Sequence, residues 1–352
     1  MDIKELLKKI PKVDLHCHLD GSVRAETILE LAKKQNIKLP TPNPDELKKY
    51  VQVSKNCRSL AEFLKVFNFF YPLLKNPEAV EKIAYQLCED CKAENIKYFE
   101  TRFAPALQST ADFPMDEVVK KALFGLQQGS RDFKIKANAI LCCYRMITDD
   151  ENWQTVELAR KYSDKGVVGV DLAGDEVNYP TEKFIKFLKK AKSYKIPLTC
   201  HIGETPMGSG MKKIFDIPVD RIGHGVHLSK SSEKLIDIVK EKKIPIEMCI
   251  TSNIQTQVVE SLEAHPIKEF YNQGLKVTVN TDDRSVSGID LTHEYDILVN
   301  HLGFELDDLV KIIFNGVDAA FLPEQDKKNL ALLIKKEINT IIYGTAKIQT
   351  AQ

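Results

Sequence analysis

The sequence predicts an α/β protein with the (β/α)8 architecture of a TIM barrel, and two observations support this prediction. Apolar segments with the length and composition of strands alternate with segments of helical periodicity along most of the chain. The strand-like segments number eight, and from Asn76 onward each is reached through a predicted helix. Strands joined through helices pair in parallel by right-handed crossovers, and eight such units close a barrel.

The positions of the predicted elements follow from this alternation. The eight predicted strands are 13–21, 97–102, 136–142, 167–172, 197–201, 221–224, 245–249 and 276–280. The helices before the last seven strands are 77–94, 115–129, 151–163, 181–194, 207–216, 232–243 and 264–273. Extra helices follow strand 1 at about 25–34, 45–51 and 59–70, and the segment at about 291–348 forms a C-terminal helical cap.

An open doubly wound sheet is the alternative arrangement of the same elements. It predicts a glycine-rich phosphate-binding turn directly after the first strand. The segment His16-Cys17-His18-Leu19-Asp20-Gly21 is no such turn, and the sequence contains neither a second core nor a Pro/Gly/Ser linker. We therefore expect one barrel domain over residues 1–352, with a helical lid insertion at about 22–75.

Charge and composition argue against several classes of function. Fifty basic residues balance fifty acidic ones without a block of like charge, so neither nucleic-acid binding nor a polybasic membrane surface is indicated. No segment approaches the roughly 20 apolar residues of a membrane span, and the first ten residues lack the apolar run of a signal peptide. The eight cysteines are scattered, as in a cytoplasmic protein with reduced thiols.

The first predicted strand carries two histidines with the spacing of metal ligands. Residues i and i+2 of a strand point to the same face, so His16 and His18 project side by side, with Asp20 just beyond them. Two neutral imidazoles held in this way form half of a zinc site. The alternative is a pair of unrelated histidines whose ring nitrogens bond to the backbone.

Polar residues at the ends of the other strands favour the metal site. Of the eight histidines in the chain, four end strands on one predicted rim of the barrel, namely His16, His18, His201 and His224. Active sites of this fold lie on that rim. His16, His18, His201 and Asp282 would supply three imidazoles and a carboxylate, which suit a catalytic Zn²⁺ with an open position for water. Fe²⁺, Co²⁺ or Mn²⁺ could occupy the same ligands. His224 would then lie beside the bound water.

Five motifs in order along the chain resemble those of the adenosine deaminase family, within the amidohydrolase superfamily. They are His16-Cys17-His18-Leu19-Asp20-Gly21, Asp171-Leu172-Ala173-Gly174-Asp175-Glu176, His201-Ile202-Gly203-Glu204, Gly223-His224-Gly225 and Asn280-Thr281-Asp282-Asp283. The similarity extends over roughly residues 8 to 345. The stretch from Cys249 to Thr256 looks most like bacterial members.

The resemblance implies a role for each matching residue. It implies that His16, His18, His201 and Asp282 bind zinc. It implies that Glu204 is the general acid and that His224 orients the attacking hydroxide. Asp283 and the Gly174 N–H would hold the purine, and Asp20 would meet the ribose 5′-hydroxyl. The apolar stripe Leu60, Phe63, Leu64 and Phe67, which by periodicity alone is a core-facing helix face, matches the family's hydrophobic lid.

The chemistry of deamination fits these residue types. Displacing the amine from C6 of adenine needs a strong nucleophile, and zinc lowers the pKa of its water from about 15.7 towards roughly 7. Asp282 and His224 can accept the proton of that water. N1 of adenine must be protonated as C6 is attacked, so Glu204 must arrive as a neutral acid with a pKa raised by burial. N7 is also an acceptor, so Asp283 would need its proton too.

Other residues are expected to play supporting or structural roles. Asp175 and Glu176 are interpreted as loop residues or as residues that support the site residues from behind. His227, His265, His293 and His301 are interpreted as structural, since none ends a predicted strand.

The resemblance implies hydrolytic deamination of adenosine and 2′-deoxyadenosine, with one Zn²⁺ per chain. Adenine deaminase and N6-methyl-AMP deaminase are the alternative activities. Asp20 discriminates between them, because a carboxylate there suits a free 5′-hydroxyl and repels a 5′-phosphate, whereas adenine-specific relatives tend to carry glutamate. A catalytically silent binding module is the non-enzymatic alternative. The expected partner is a small nucleoside, and the chain would act as a monomer or a homodimer.

Overall fold

The eight strands form a closed parallel barrel. The computed structural model of the protein describes residues 2–54, 57, 59–204, 216–217 and 219–344. Its strands are β1 Lys12–His18, β2 Ile96–Phe103, β3 Lys136–Tyr144, β4 Val167–Ala173, β5 His201–Ile202, β6 Ile222–His224, β7 Ile246–Met248 and β8 Val277–Val279. Strands β1 to β4 pair in parallel in sequence order, and so do β5 to β8. Parallel bridges between Val170 and Leu198 and between Cys17 and Asp282 join the two sheets at both edges. The predicted (β/α)8 fold is confirmed.

Helices surround this barrel and cover one end of it. Those after β1 are Ala25–Lys34, Pro44–Val51, Leu60–Leu64 and Tyr71–Leu74; those between later strands are Pro77–Ala93, Pro105–Gln108, Met115–Phe133, Asp149–Lys161, Ile185–Ser193, Glu233–Glu241, Ile250–Gln255 and Ile267–Asn272. Further helices in the described part of the chain are Ile3–Lys9, Arg284–Ser287, Leu291–Asn300, Leu306–Ala319 and Glu324–Ile338. No helix in the described ranges is both long and apolar enough to pass through a lipid bilayer.

The stretch predicted as one helix over 59–70 is broken in the structure. A helix at Leu60–Leu64 passes into a 3₁₀ segment at Lys65–Phe69. A 3₁₀ turn aligns side chains three positions apart. This brings Phe67 and Phe70 to the same side of the chain, and both are buried. The apolar stripe therefore continues through the break. The boundary of a lid insertion at about 22–75 stays a prediction.

Strand β5 also differs from its predicted position at 197–201. Pro197 has no N–H to donate to a ladder, and it takes part only through its carbonyl, which accepts from Val170 N at 3.0 Å. Pairing with β6 begins at His201. The predicted helix at 207–216 lies outside the described residues except for its last position.

Charged side chains fill the middle of the barrel, which is unusual for a protein interior. Glu100, Arg102, Asp171, Arg221 and Glu247 all have no exposed surface. They pair with one another: Arg102 contacts Asp171 at 3.0 Å and Glu247 at 2.9 Å, and Arg221 contacts both Glu247 and Glu100 at 2.6 Å. Burial of charge is tolerated when each charge is paired and hydrogen-bonded, as here.

Candidate active site

Three histidines and an aspartate converge at the C-terminal end of the barrel. Nε2 of His201 lies 3.0 Å from Nε2 of His16 and 3.2 Å from Nε2 of His18. Oδ1 of Asp282 lies 3.2 Å from Nε2 of His16 and 3.3 Å from Nε2 of His18. The structure thus brings together all four residues that the sequence singled out as metal ligands. His224 lies beside them. His16, His201, His224 and Asp282 each have one atom that could bind a metal, and these four atoms all lie within 4.8 Å of one another.

The outer ring nitrogens of two of these histidines face carboxylates of the barrel interior. Nδ1 of His16 lies 2.8 Å from Glu247 Oε2, and Nδ1 of His201 lies 2.8 Å from Asp171 Oδ2. A carboxylate partner keeps the proton on Nδ1, so that Nε2 presents a lone pair. Lone pairs and a carboxylate oxygen that point at one another repel unless a cation lies between them. The donor set therefore fits a metal ion, and its nitrogen and oxygen atoms suit zinc.

Two of the site residues adopt a backbone conformation that non-glycine residues rarely take. The φ angle is +60° at His224 and +63° at Asp282. His224 ends β6 and Asp282 lies three residues after the end of β8, and the left-handed conformation turns the chain sharply at the barrel rim. Such strain costs about 1–3 kcal/mol per residue and persists where the surrounding structure enforces it. Here it places both side chains in the cavity, with His224 Nε2 at 3.8 Å from Asp282 Oδ2.

Glu204 is buried next to this cluster, at the end of β5. Its Oε1 lies 3.6 Å from His224 Nε2. Burial raises the pKa of Glu204 to about 7, with the charge of Asp282 acting in the same direction and the histidines opposing it. The segment that carries it is held by Glu176, whose carboxylate accepts hydrogen bonds from the N–H groups of Gly203 at 3.2 Å and Glu204 at 3.0 Å. A carboxyl group that is neutral near pH 7 can donate a proton.

Asp283 and Asp20 lie on the other side of the cavity. Burial raises the pKa of Asp283 well above its ordinary value, and the nearby charges of Asp282 and Asp20 add to the effect. Among the described residues, Oδ1 of Asp283 is buried without a hydrogen-bond partner. Burial also raises the pKa of Asp20, to about 6. An unpaired buried carboxyl group is costly unless a ligand completes its hydrogen bonding.

A cavity of about 580 Å³ connects these groups with the apolar stripe. This volume includes space that is open to solvent. Its lining includes all four predicted lid residues and most of the predicted polar ones: Leu60, Phe63, Leu64, Phe67, His18, Asp20, Gly174, His201, Glu204, His224, Asp282 and Asp283. Of the residues predicted for the site, only His16 does not line the cavity, because it lies behind the other ligands with no exposed surface.

Sequence reasoning missed the residues that support the ligands from behind. Glu247 and Arg102 belong to strands whose flanking residues are mostly apolar, and a charged residue in such a strand is a signal of a paired interior charge. The ring of Tyr144 lies against Gly174, where a Cβ would come within 3.0 Å of it. Tyr144, Ser252 and Thr256 all line the cavity.

Comparison with known proteins connects this site to a family. A family model described as adenosine deaminase matches residues 11–337. An adenosine deaminase from Clostridium botulinum (strain Okra / Type B1) is 40% identical over 331 residues, which are 94% of this chain and 98% of that protein. An adenosine deaminase from Clostridium acetobutylicum has the same identity and the same coverage.

Solved structures show the same architecture. An N6-mAMP deaminase from Arabidopsis superposes with a TM-score of 0.84 at 29% identity, covering 94% of this chain and 99% of that one. An adenine deaminase from Arthrobacter aurescens superposes with a TM-score of 0.86 at 22% identity, covering 94% and 99%, which shows a shared fold alone. The match of the family model over most of the chain, together with relatives at 40% identity, shows that this chain belongs to the adenosine deaminase family.

Proposed function

We propose that the protein catalyses hydrolytic deamination of adenosine and 2′-deoxyadenosine to inosine or 2′-deoxyinosine and ammonia, with one Zn²⁺ per chain. The observation that carries this proposal is the convergence of His16, His18, His201 and Asp282 beside a buried acid, Glu204, in one cavity. The family's 40% identical members named adenosine deaminase support the same reaction.

His16, His18, His201 and Asp282 would hold the zinc, which when bound lowers the pKa of a water molecule to about 7 and so supplies a nucleophile. Glu247 and Asp171 orient the rings of His16 and His201 from behind and keep their Nε2 atoms unprotonated. His224 and Asp282 flank the side of the cavity where the attacking oxygen must lie. Both side chains can hold that oxygen against C6 of the purine.

Glu204 is proposed as the proton donor to N1 of adenine. Attack at C6 breaks the aromatic ring system unless N1 is protonated at the same time. N1 is a hydrogen-bond acceptor, so it needs a donor, and the raised pKa of Glu204 provides a neutral carboxyl group near pH 7. Its position 3.6 Å from His224 keeps the acid next to the attacking oxygen.

Asp283, the Gly174 N–H and Asp20 are proposed to bind the rest of the nucleoside. A neutral Asp283 can donate to N7 of the purine, which explains why its carboxyl group is buried without a partner among the described residues. The N–H of Gly174 is a further donor at the cavity wall. Asp20 would accept from the ribose 5′-hydroxyl. Leu60, Phe63, Leu64 and Phe67 would exclude water from the bound base.

Deamination of N6-methyl-AMP is the second candidate, because a solved relative with 29% identity is named N6-mAMP deaminase. A 5′-phosphate would have to approach Asp20, which is buried at the cavity wall. Burial raises the pKa of Asp20 only to about 6, so the group is mostly ionised near pH 7, and an ionised carboxylate repels a phosphate. The nucleoside is therefore the better substrate for this cavity.

The setting of the enzyme is part of the proposal. All eight cysteines are buried and none forms a disulfide, which supports a reducing compartment such as the cytoplasm. The balanced charge supports a small-molecule substrate rather than a nucleic acid.

Side-by-side kinetics on four substrates test the function. We expect the zinc-loaded protein to deplete the ultraviolet absorbance of adenosine and deoxyadenosine with kcat/KM values well above those for adenine and AMP. Turnover of AMP, or of N6-methyl-AMP in a parallel fifth assay, that exceeds turnover of adenosine would make the nucleotide activity the correct one. No turnover of any of the four by zinc-loaded protein would leave only the binding-module alternative.

A further inference from the structure

Three buried polar side chains form a line that runs from the protein interior to His224. Asn253 lies in the helix Ile250–Gln255, and His265 precedes the helix Ile267–Asn272. Neither residue lines the cavity, and both are buried, Asn253 with no exposed surface. Asn253 lies between the two imidazoles, with its amide group 3.0 Å from Nδ1 of His224 and 3.2 Å from Nε2 of His265.

A backbone N–H fixes the direction of the first hydrogen bond in this line. The N–H of Ile267 lies 3.3 Å from Nδ1 of His265 and can only donate, so Nδ1 of His265 must accept. Burial lowers the pKa of His265 to about 3, so its ring is neutral and carries one proton. That proton is therefore on Nε2, which donates to Oδ1 of Asn253.

The orientation of the Asn253 amide follows from this bond. Because Oδ1 accepts from His265, the Nδ2 group faces His224 and donates to its Nδ1. An imidazole whose Nδ1 accepts carries its proton on Nε2 when neutral. Nε2 of His224 points into the cavity, 3.6 Å from Glu204 Oε1 and 3.8 Å from Asp282 Oδ2.

We propose that Asn253 and His265 are positioning residues that hold His224 in the tautomer with the proton on Nε2, so that this ring donates a hydrogen bond into the cavity. The ring then holds the attacking oxygen by donation and does not take the proton of the water. When the water attacks, one O–H bond breaks and its proton passes to Oδ2 of Asp282, while the oxygen forms the bond to C6. The electron pair of the C6–N1 double bond moves to N1, which takes the proton of Glu204. The role of this hydrogen bond in the reaction rests on the proposed function, whereas the assignment of the tautomer does not.

Nuclear magnetic resonance of zinc-loaded protein labelled with ¹⁵N-histidine tests the tautomer directly. We expect Nε2 of His224 to give the shift of a protonated ring nitrogen and Nδ1 that of an unprotonated one, with His224 assigned by its loss in His224→Gln. His227 is an internal reference with the proton on the other ring nitrogen. Its Nδ1 lies 2.9 Å from the carbonyl oxygen of Gly203 and must donate to it. A protonated Nδ1 on His224 would overturn the proposal.

Substitutions of Asn253 and His265 provide a second test of the proposal. In Asn253→Asp, a carboxylate faces Nδ1 of His224 and draws the proton there. We expect kcat to fall by on the order of 10²–10³, the effect of losing one aligned donor, with KM and zinc content nearly unchanged. His265→Gln retains a donor for Asn253 Oδ1 and should keep kcat within a few-fold of the wild-type value. His265→Leu removes this donor and should lower kcat further.

Asn152→Asp is the matched control, since Asn152 is a buried asparagine whose side chain, among the residues that the structure describes, bonds to the backbone of Tyr144 at 2.9 Å and 3.1 Å. It should leave the His224 signals unchanged. An Asn253→Asp enzyme with the wild-type His224 signals and wild-type kcat would contradict the proposal. If a variant does not fold, the wild-type spectrum decides alone. Protein that shows the expected tautomer but deaminates no substrate would refute the proposed function and leave the tautomer assignment standing.

Discussion

Gly21 and Asp283 lie so close together that residue 21 has no room for a side chain. A Cβ built on Gly21 would come within 1.8 Å of Oδ1 of Asp283 and 2.7 Å of its carboxyl carbon. Gly21 follows the histidines of β1, and Asp283 follows the aspartate of the metal cluster after β8. The contact therefore sets the position of a proposed purine-binding group relative to the proposed metal ligands.

Substitution of Gly21 by alanine should displace this carboxyl group. We expect Gly21→Ala to retain zinc but to lose about 10²-fold in kcat/KM, because a shift of roughly 1 Å in a positioning group has this scale of effect. Steady-state kinetics on adenosine measure kcat/KM, and metal analysis measures the zinc content. Gly344→Ala is a remote control, since its φ of −68° suits alanine and a Cβ there would come no closer than 3.9 Å to another atom. Wild-type kinetics for Gly21→Ala would show that Asp283 does not hold the substrate.

Replacement of Glu204 by glutamine tests its role as the acid. The amide cannot supply a proton to N1, so Glu204→Gln should keep its metal and lose about 10²–10⁴ in kcat. In the wild-type enzyme the donor is active when protonated and its pKa is about 7. The rate kcat/KM should therefore be flat at lower pH and fall as the pH rises through about 7. Near-normal turnover by Glu204→Gln would remove this residue from the reaction.

The carboxylate behind His201 should matter for metal affinity. Asp171 lies 2.8 Å from Nδ1 of His201 and pairs with Arg102. We expect Asp171→Asn to weaken zinc binding by about 10–100-fold, the usual effect of losing such a partner, as measured by competition with a chelator.

Glu100→Gln is the matched control for this effect. Glu100 belongs to the same buried network but contacts Arg221 and Tyr98 and no proposed ligand. Breaking a buried ion pair costs about 3–5 kcal/mol, so both variants should lose stability, whereas only Asp171→Asn should lose zinc affinity. Equal zinc affinity in the two variants would argue against the role of Asp171.

Asp20 should control the discrimination between a nucleoside and a nucleotide. Removing its negative charge in Asp20→Asn should raise the ratio of kcat/KM for AMP to that for adenosine, because the electrostatic rejection of the phosphate is lost. Parallel assays of wild type and variant on both substrates give this ratio. Unchanged turnover of adenosine together with continued absence of AMP turnover would show that Asp20 does not contact this part of the substrate.

The order of elements and the convergence of the proposed metal ligands could be predicted from the sequence, because both follow from local patterns. Strand and helix periodicities gave eight βα units, and the parallel fold then required the ends of the strands to meet at one rim. Residues far apart along the chain, such as His16 and Asp282, could therefore be placed together before their contact at 3.2 Å was known.

Other features could not be predicted, because they depend on tertiary contacts. The break after Leu64 brings Phe67 and Phe70 to one buried side of the chain, and this burial depends on tertiary packing that local propensity does not encode. Pairing of Glu247 with His16 and two arginines depends on the direction of side chains inside the barrel. His265 was interpreted as structural because it ends no strand, and only the position of Asn253 connects it to the site.

Metal removal and resupply test the central claim most directly. Protein treated with a strong chelator and freed of metal should lose adenosine deamination, and it should regain full activity as one equivalent of Zn²⁺ per chain is added back, with metal content measured at each step. Full deamination by protein shown to contain no metal, or failure to bind zinc at His16, His18, His201 and Asp282 after resupply, would contradict the account.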